Sequence, residues 1–206
     1  MARRLKKEEI ARTAQRLFSR DGYEASSLAK LALDLKVAKG TLHYHWPRKG
    51  DLLAYLIGDF VGGIHHRLSE VARSNAPPYE KLRACVEIHM STLLTDYDAA
   101  YIFFEERRHL TKGPATKLLK IDRDIRSIYR RILEECGQQG ICRQRYEFGD
   151  MHILALMNWT YRWYRNATDD AKKHALIQEV MRFIDHAFDV TIPNSPLADT
   201  PIKNTP

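Results

Sequence analysis

Apolar side chains recur at intervals of three and four along most of this chain, and β-branched runs with a period of two are absent. Spacings of three and four keep apolar groups on one helix face, whereas a half-buried strand needs a spacing of two. Proline, which interrupts helices, stands at Pro47, Pro77, Pro78 and Pro114, then not again until Pro193. The pattern predicts an all-α chain. Hydrophobic residues make up 44% of it, enough to bury a real core.

The periodicity predicts a first helix over about 7–20, with Ile10, Ala14, Leu17 and Phe18 on one face and Asp21-Gly22 ending it. Ser26 or Ser27 caps a second helix carrying Leu28, Leu31, Ala32 and Leu35. After a break at Lys36-Val37, a short third helix spans about 39–45. Longer helices follow over about 51–74, 78–96 and 98–109, then from a Gly113-Pro114 break to 136, where Gly137 and Gly140 mark a turn, and over 147–165 and 170–190. Residues 193–206 hold four prolines and few apolar side chains, which predicts a disordered tail.

Charge divides the chain more sharply than the periodicity does. Residues 1–50 hold twelve basic and five acidic side chains, while the remainder holds 21 of each, so the whole net charge of +7 lies in the first quarter. That distribution predicts a polyanion-binding module over 1–50 joined to a neutral body over 51–192. Three cysteines are too few for a disulfide-stapled secreted domain. The charged amino terminus leads into no apolar signal segment, and the stretch over 52–64 is short and broken by Asp59, against the roughly 20 apolar residues that a membrane span needs. A soluble cytoplasmic protein with no membrane contact is expected.

Three short helices with a tight break before a basic third one outline a helix-turn-helix. In the third segment, Leu42 and Trp46 are four apart and anchor one face. Lys39, Thr41, His43, Tyr44 and His45 are then left outward. Gly40 lets backbone come close to a phosphate or base edge. Lys49 stands at the next helix start, where free N–H groups favour a phosphate. Thr41 suits a base edge or thymine methyl, and Tyr44, His45 and Lys49 suit phosphates. Arg3, Arg4, Lys6 and Lys7 are either a minor-groove arm or a solvated terminus.

Residues 10–56 resemble the DNA-binding domain of the tetracycline-repressor (TetR) family, through Ala14, Leu17-Phe18, Gly22-Tyr23, Ser26-Ser27, Leu31-Ala32, Lys39-Gly40-Thr41-Leu42, Tyr44-His45-Trp46 and Lys49. The resemblance implies a homodimer on double-stranded operator DNA of two-fold symmetry, contacted by Ser27, Lys39, Gly40, Thr41, His43, Tyr44, His45 and Lys49. Residues 51–192 would form the ligand-binding and dimerisation domain, whose small-molecule effector releases the DNA. Lys36 stands where the family often has glycine, and Ala38 where it often has the serine cap.

In the second domain, Asn158-Trp159-Thr160-Tyr161-Arg162-Trp163-Tyr164-Arg165 packs two tryptophans, two tyrosines and two arginines into eight residues. Arginine forks bind phosphates or carboxylates, and aromatic rings cover planar groups. The same residues also suit a dimer interface. Tyr101, Phe104 and Arg108 share a face of the preceding candidate helix, as do Phe103 and Arg107. Both segments resemble the TetR branch that senses acyl-CoA and steroid-derived CoA thioesters. That resemblance implies an effector site at Tyr101, Phe104, Arg108, Asn158, Trp159, Arg162, Trp163 and Arg165. An efflux regulator with a promiscuous aromatic cavity is the alternative. A di-iron helical enzyme is remoter, because Glu106-x-x-His109 is half of that signature and no second Glu-x-x-His occurs. With no P-loop, Gly-x-Gly-x-x-Gly or His-Glu-x-x-His motif either, neither catalysis nor a metal or cofactor is expected beyond the effector.

Overall fold

The structure, a computed structural model, describes residues 7–164 and 169–191. Its helices are α1 (Lys7–Asp21), α2 (Leu28–Leu35), α3 (Lys39–His45), α4 (Lys49–Arg73), α5 (Pro78–Thr95), α6 (Tyr97–Tyr101), α7 (Lys112–Gln138), α8 (Gly149–Trp163) and α9 (Asp170–Ala187). A π turn (Ile102–Glu106) and a 3₁₀ turn (Arg107–His109) separate α6 from α7. The all-α expectation holds: among the described residues the only β pairing is an isolated bridge between Cys142 and Val190.

The amino-terminal module is built as its sequence dictates. α1 buries Ile10, Ala14, Leu17 and Phe18. Gly22 at φ +82° ends it, since a left-handed residue there is cheapest as glycine. Of the two candidate caps Ser27 is the one used, its side chain accepting from Lys30 N at 3.1 Å. Ser26 instead donates to the Gly22 carbonyl at 2.7 Å. Lys36 adopts φ 55°, and its N–H and that of Val37 return to the carbonyls of Leu33 and Ala32, each at 3.0 Å. A residue with a Cβ costs about 1 kcal/mol in that conformation. Ala38 leaves the α3 amino terminus without a side-chain cap.

α4 runs out of this module into the second domain, where it packs on α5 and α7. It begins two residues before the predicted Asp51, whose carboxylate accepts from Arg48 N at 3.1 Å and pairs with the Arg48 guanidinium at 2.8 Å. α5 is the central helix of the second domain, touching α4, α7, α8 and α9. Tyr79 on α5 donates to Asp185 on α9 at 2.9 Å. Asp150, 1% exposed, holds α8 to α7 by accepting from Arg126 at 3.0 Å and Arg130 at 3.3 Å.

Four expectations need correction. Gly113-Pro114 does not break the chain but lies in the first turn of α7, where the N–H that proline lacks has no intrahelical acceptor anyway. Gly137 lies inside α7. Gly140, at φ +71°, makes the turn, with Ile141 N donating to Cys136 O at 2.9 Å. The predicted helix over 98–109 is α6 followed by the π and 3₁₀ turns, so a regular 3.6-residue period does not run through it, although Arg107 does lie over the Phe103 ring at 5.5 Å, as the predicted face requires. α9 ends at Ala187, where Asp189 turns left-handed at φ 46° and Thr191 N pairs back to Ile141 O at 2.9 Å. The predicted tail over 193–206, the basic Arg3, Arg4 and Lys6, and Arg165 lie outside the described residues. Among those described, no helix is long and apolar enough to cross a membrane.

Candidate functional site

α3 is seven residues long, and its two anchors decide what it presents. Leu42 is fully buried and Trp46, just past its end, is 3% exposed. With those turned inward, Lys39, Gly40, His43 and Tyr44 face solvent, while Thr41 and His45 are half-buried on the flanks. Tyr44 is 85% exposed, an unusual position for an aromatic side chain in a protein with no contact there. His43 Nδ1 lies 3.1 Å from the Pro47 carbonyl and donates to it, which leaves Nε2 outward. Between α3 and the amino terminus of α2 runs an open groove of about 320 Å³, lined by Ser27, Lys39, His43, Arg48 and Lys49 among others. Its charged side chains are all basic, and the free N–H groups of a helix start stand at its edge.

Two residues of this groove differ from expectation. Lys49 directs its ammonium onto the carbonyls of Tyr23 (2.7 Å), Ser26 (2.8 Å) and Glu24 (3.3 Å), above the Tyr23 ring at 4.2 Å. Its three donors are thus occupied in pinning α4 to the α1–α2 loop. Arg48, which the sequence reading passed over, is exposed beside it and steered by Asp51. An acidic residue at the third position of α4 was the signal that could have found it.

The module meets the second domain through α4, through α1, which packs on α6 and the π turn, and through Glu106, 5% exposed at the end of the π turn, whose carboxylate accepts from Tyr23 N at 3.1 Å. His109 lies 3.4 Å from the same carboxylate, 3.8 Å from Glu24, and packs its ring on Tyr23 at 5.1 Å. The Glu106-x-x-His109 pair is thus part of a joint between the two domains. Arg108 is exposed and donates to His109 at 3.2 Å, and its charge also reaches Glu105.

Glu105 points the other way. Its carboxylate accepts from Tyr161 OH and from the Arg162 guanidinium on α8. These bonds hold Glu105 below the usual carboxylate range, while burial first and Glu105 second push Tyr161 up to about 12. Phe104 stacks on Tyr161 at 4.6 Å, and Tyr97 bridges Tyr101 and Tyr161 at 6.1 and 6.4 Å. The structure therefore brings Tyr101, Phe104 and Arg162 together, with Tyr161 and Glu105 as members that sequence reasoning missed. The alternation of aromatic residues in the Asn158–Arg165 segment contained Tyr161. Nothing in the sequence pairs Glu105 with α8.

The tryptophans lie elsewhere. Trp159 is 51% exposed and Trp163 72% exposed, on the outer face of α8 with Phe148 and Met151. Arg162 stands at the boundary, over the Trp159 ring at 4.8 Å. Asn158 turns inward, and its Oδ1 is shut off from solvent.

Residues 10–56 match the bacterial regulatory proteins of the tetR family, and residues 75–184 match the tetracyclin repressor-like C-terminal domain. The chain is 28% identical to the fatty acid metabolism regulator protein of Bacillus subtilis (strain 168), over 67% of this chain and 71% of that protein. Its fold matches that of AibR in complex with isovaleryl coenzyme A and operator DNA, with TM-score 0.76 at 20% identity, over 89% of this chain and 98% of that one. It also matches the ketosteroid transcriptional regulator KstR2 of Mycobacterium tuberculosis, with TM-score 0.81 at 16% identity, over 93% and 98%.

Proposed function

This chain is a TetR-family transcriptional regulator, and we propose that it is a homodimeric repressor that leaves a two-fold symmetric operator when a CoA thioester binds its second domain. The observation that carries the DNA half is Tyr44, exposed on a helix anchored by Leu42 and Trp46 beside the basic groove. Lys39, Gly40, His43 and Tyr44 meet the DNA from α3, with Thr41 and His45 at the flanks. Ser27 and the α2 amino terminus, with Arg48, hold a phosphate. Lys49 sets the loop that carries Ser27, so its contribution is through position.

The effector half rests on Arg162 and its aromatic surroundings. Arg162 is already neutralised by Glu105, so an anionic group has to exchange with that carboxylate. Glu105 and Glu106 are neighbours in the π turn, one bound to α8 and the other to Tyr23 of the DNA module. Releasing Glu105 loosens the turn that holds the module, which is the differential contact that linkage requires. An acyl chain enters the aromatic cluster of Tyr101, Phe104 and Tyr161. Relatives of this chain include a regulator of fatty acid metabolism and one bound to isovaleryl coenzyme A. The exposed stripe of Met151, Trp159 and Trp163 on α8, with Phe148 just before it and Phe183 on α9, is the face that a second copy covers.

Mobility shift on the DNA upstream of its own gene tests this. Tyr44→Ala weakens binding by about 1–3 kcal/mol. Arg162→Ala leaves DNA binding in place and removes release by octanoyl-CoA. Trp163→Glu converts the dimer to monomer in sedimentation. Release of the wild type by octanoate as readily as by octanoyl-CoA refutes the thioester.

A further inference from the structure

Two polar clusters are enclosed in the second domain. In one, His89, 5% exposed, lies 3.3 Å from the hydroxyl of the fully buried Tyr129, and burial holds its ring neutral by pushing its pKa down to about 4. The other is a pair of thiols at the turn between α7 and α8. Cys136 is fully buried near the end of α7, and Cys142 is 3% exposed, two residues past Gly140. The Cys136 carbonyl accepts from Ile141 N at 2.9 Å and from Cys142 N at 3.3 Å. Disulfides join residues whose Cα atoms stand roughly 4.4–6.8 Å apart, and a direct backbone hydrogen bond brings two residues to about that reach. The thiols themselves touch. Cys136 donates its S–H to the Cys142 sulfur, which favours the Cys142 thiolate. The same bond, and then burial, push the Cys136 thiol up. Asp185 on α9 faces Cys142 and opposes the thiolate without reversing the effect.

Cys142 also lines a cavity of about 250 Å³ between this turn and the end of α9, with Leu133, Gly149 and Phe188 as apolar walls. The exposed Gln144 and Glu147 line it too, so it opens to solvent. Cys85, on α5, is fully buried away from this cavity, and burial pushes its thiol up to about 12. We propose that Cys136 and Cys142 form a hydroperoxide-reactive dithiol site, in which Cys142 attacks and Cys136 resolves. The Cys142 sulfur bonds to one peroxide oxygen as the O–O bond breaks. Sulfur is oxidised to the sulfenic acid, the hydroperoxide is reduced, and the oxyanion released takes the proton that Cys142 gave up. The Cys136 sulfur then bonds to the Cys142 sulfur, the S–O bond breaks, and the departing hydroxide leaves as water with the Cys136 proton. Two thiols and one hydroperoxide give one disulfide, one alcohol (water, from hydrogen peroxide) and one water. The disulfide stiffens the turn that holds the end of α9 through the Cys142–Val190 bridge and the bond from Thr191 N to Ile141 O at 2.9 Å. The site stands independently of the DNA and effector readings.

Hydrogen peroxide added to the folded full chain, followed by alkylation in denaturant and tryptic mass mapping, tests the site. Both of its cysteines fall in one tryptic peptide, 132–143, and Cys85 falls in another. Peptide 132–143 is expected to escape alkylation and lose two hydrogens, at a rate about tenfold or more above the oxidation of Cys85. Cys136→Ser should stop at a Cys142 sulfenic acid that dimedone traps, and Cys142→Ser should leave Cys136 open to alkylation. A peptide 132–143 that stays fully alkylated overturns the site. So does oxidation no faster than that of Cys85, which would follow unfolding, or a bridge joining two copies of the chain. Oxidation of Cys136 in folded Cys142→Ser overturns the assignment of roles. The wild-type map decides the site by itself, so a variant that fails to fold does not blunt the test.

Discussion

In the amino-terminal module, the side chains turned toward DNA are close neighbours in sequence and stand in solvent. Lys39, Gly40, His43 and Tyr44 occupy one seven-residue helix, and two buried residues set their orientation. In the second domain, the polar groups that meet are buried or half-covered and come from far apart. Glu105 meets Tyr161 across 56 positions, and Cys85 meets Tyr129 across 44. An outward reading face needs only the phase of one helix. An inward site exists only once several helices have packed, and every polar group inside it must find a partner there.

The largest effect expected from that difference is on Trp46→Ala. The side chain anchors α3 and packs on Tyr55 at 5.4 Å, so its loss should cost about 3–5 kcal/mol. The small module then melts before the second domain, giving two transitions in scanning calorimetry, with DNA binding lost and octanoyl-CoA binding kept. A single transition for both would break the contrast by showing that the domains share one core.

The second effect concerns pH. His89 has a folded pKa near 4 against an ordinary value of 6.5. The unfolded chain takes up a proton below about pH 6.5 while the folded ring refuses it, so stability is full above pH 6.5 and falls as pH drops toward 4. The loss from this group is on the order of 3 kcal/mol by pH 4. Denaturant titrations of wild type and His89→Phe between pH 7 and 4 check it, since the variant should lack that part of the slope. Parallel slopes would mean that water reaches the ring and the interior is less closed than described.

The smallest effect belongs to the turn of the module. Lys36→Gly removes the Cβ from a left-handed residue and should raise module stability by about 1 kcal/mol at most, with no change in octanoyl-CoA affinity. A stability loss would show that the Lys36 side chain contributes more than its backbone strain costs.

The module was the more legible half because its signals are local. The Leu42–Trp46 spacing, the Ser27 cap and the left-handed Lys36 each depend on fewer than five neighbouring residues, and α3 spans the predicted 39–45. The place of Lys49 at a helix start suggests a phosphate partner. The carbonyls that occupy it lie 23 to 26 positions earlier, out of reach of any local rule. In the second domain the composition of the Asn158–Arg165 segment singled out a place, but not its geometry. Asn158 turns in while Trp159 and Trp163 turn out, because the packing of α8 on α5 and α7 selects which stripe is covered.

Helix content, the boundary between a basic reader and a neutral partner, and the outward face of α3 follow from residue spacing and charge alone. The pairing of Glu105 with Arg162, of Glu106 with Tyr23 and of His89 with Tyr129 comes from the assembled bundle. Helical periodicity assigns each side chain to a face of its own helix. Which faces meet is settled by the packing of all the helices together, and at residues 102–106 that packing accompanies a π turn in place of the regular period.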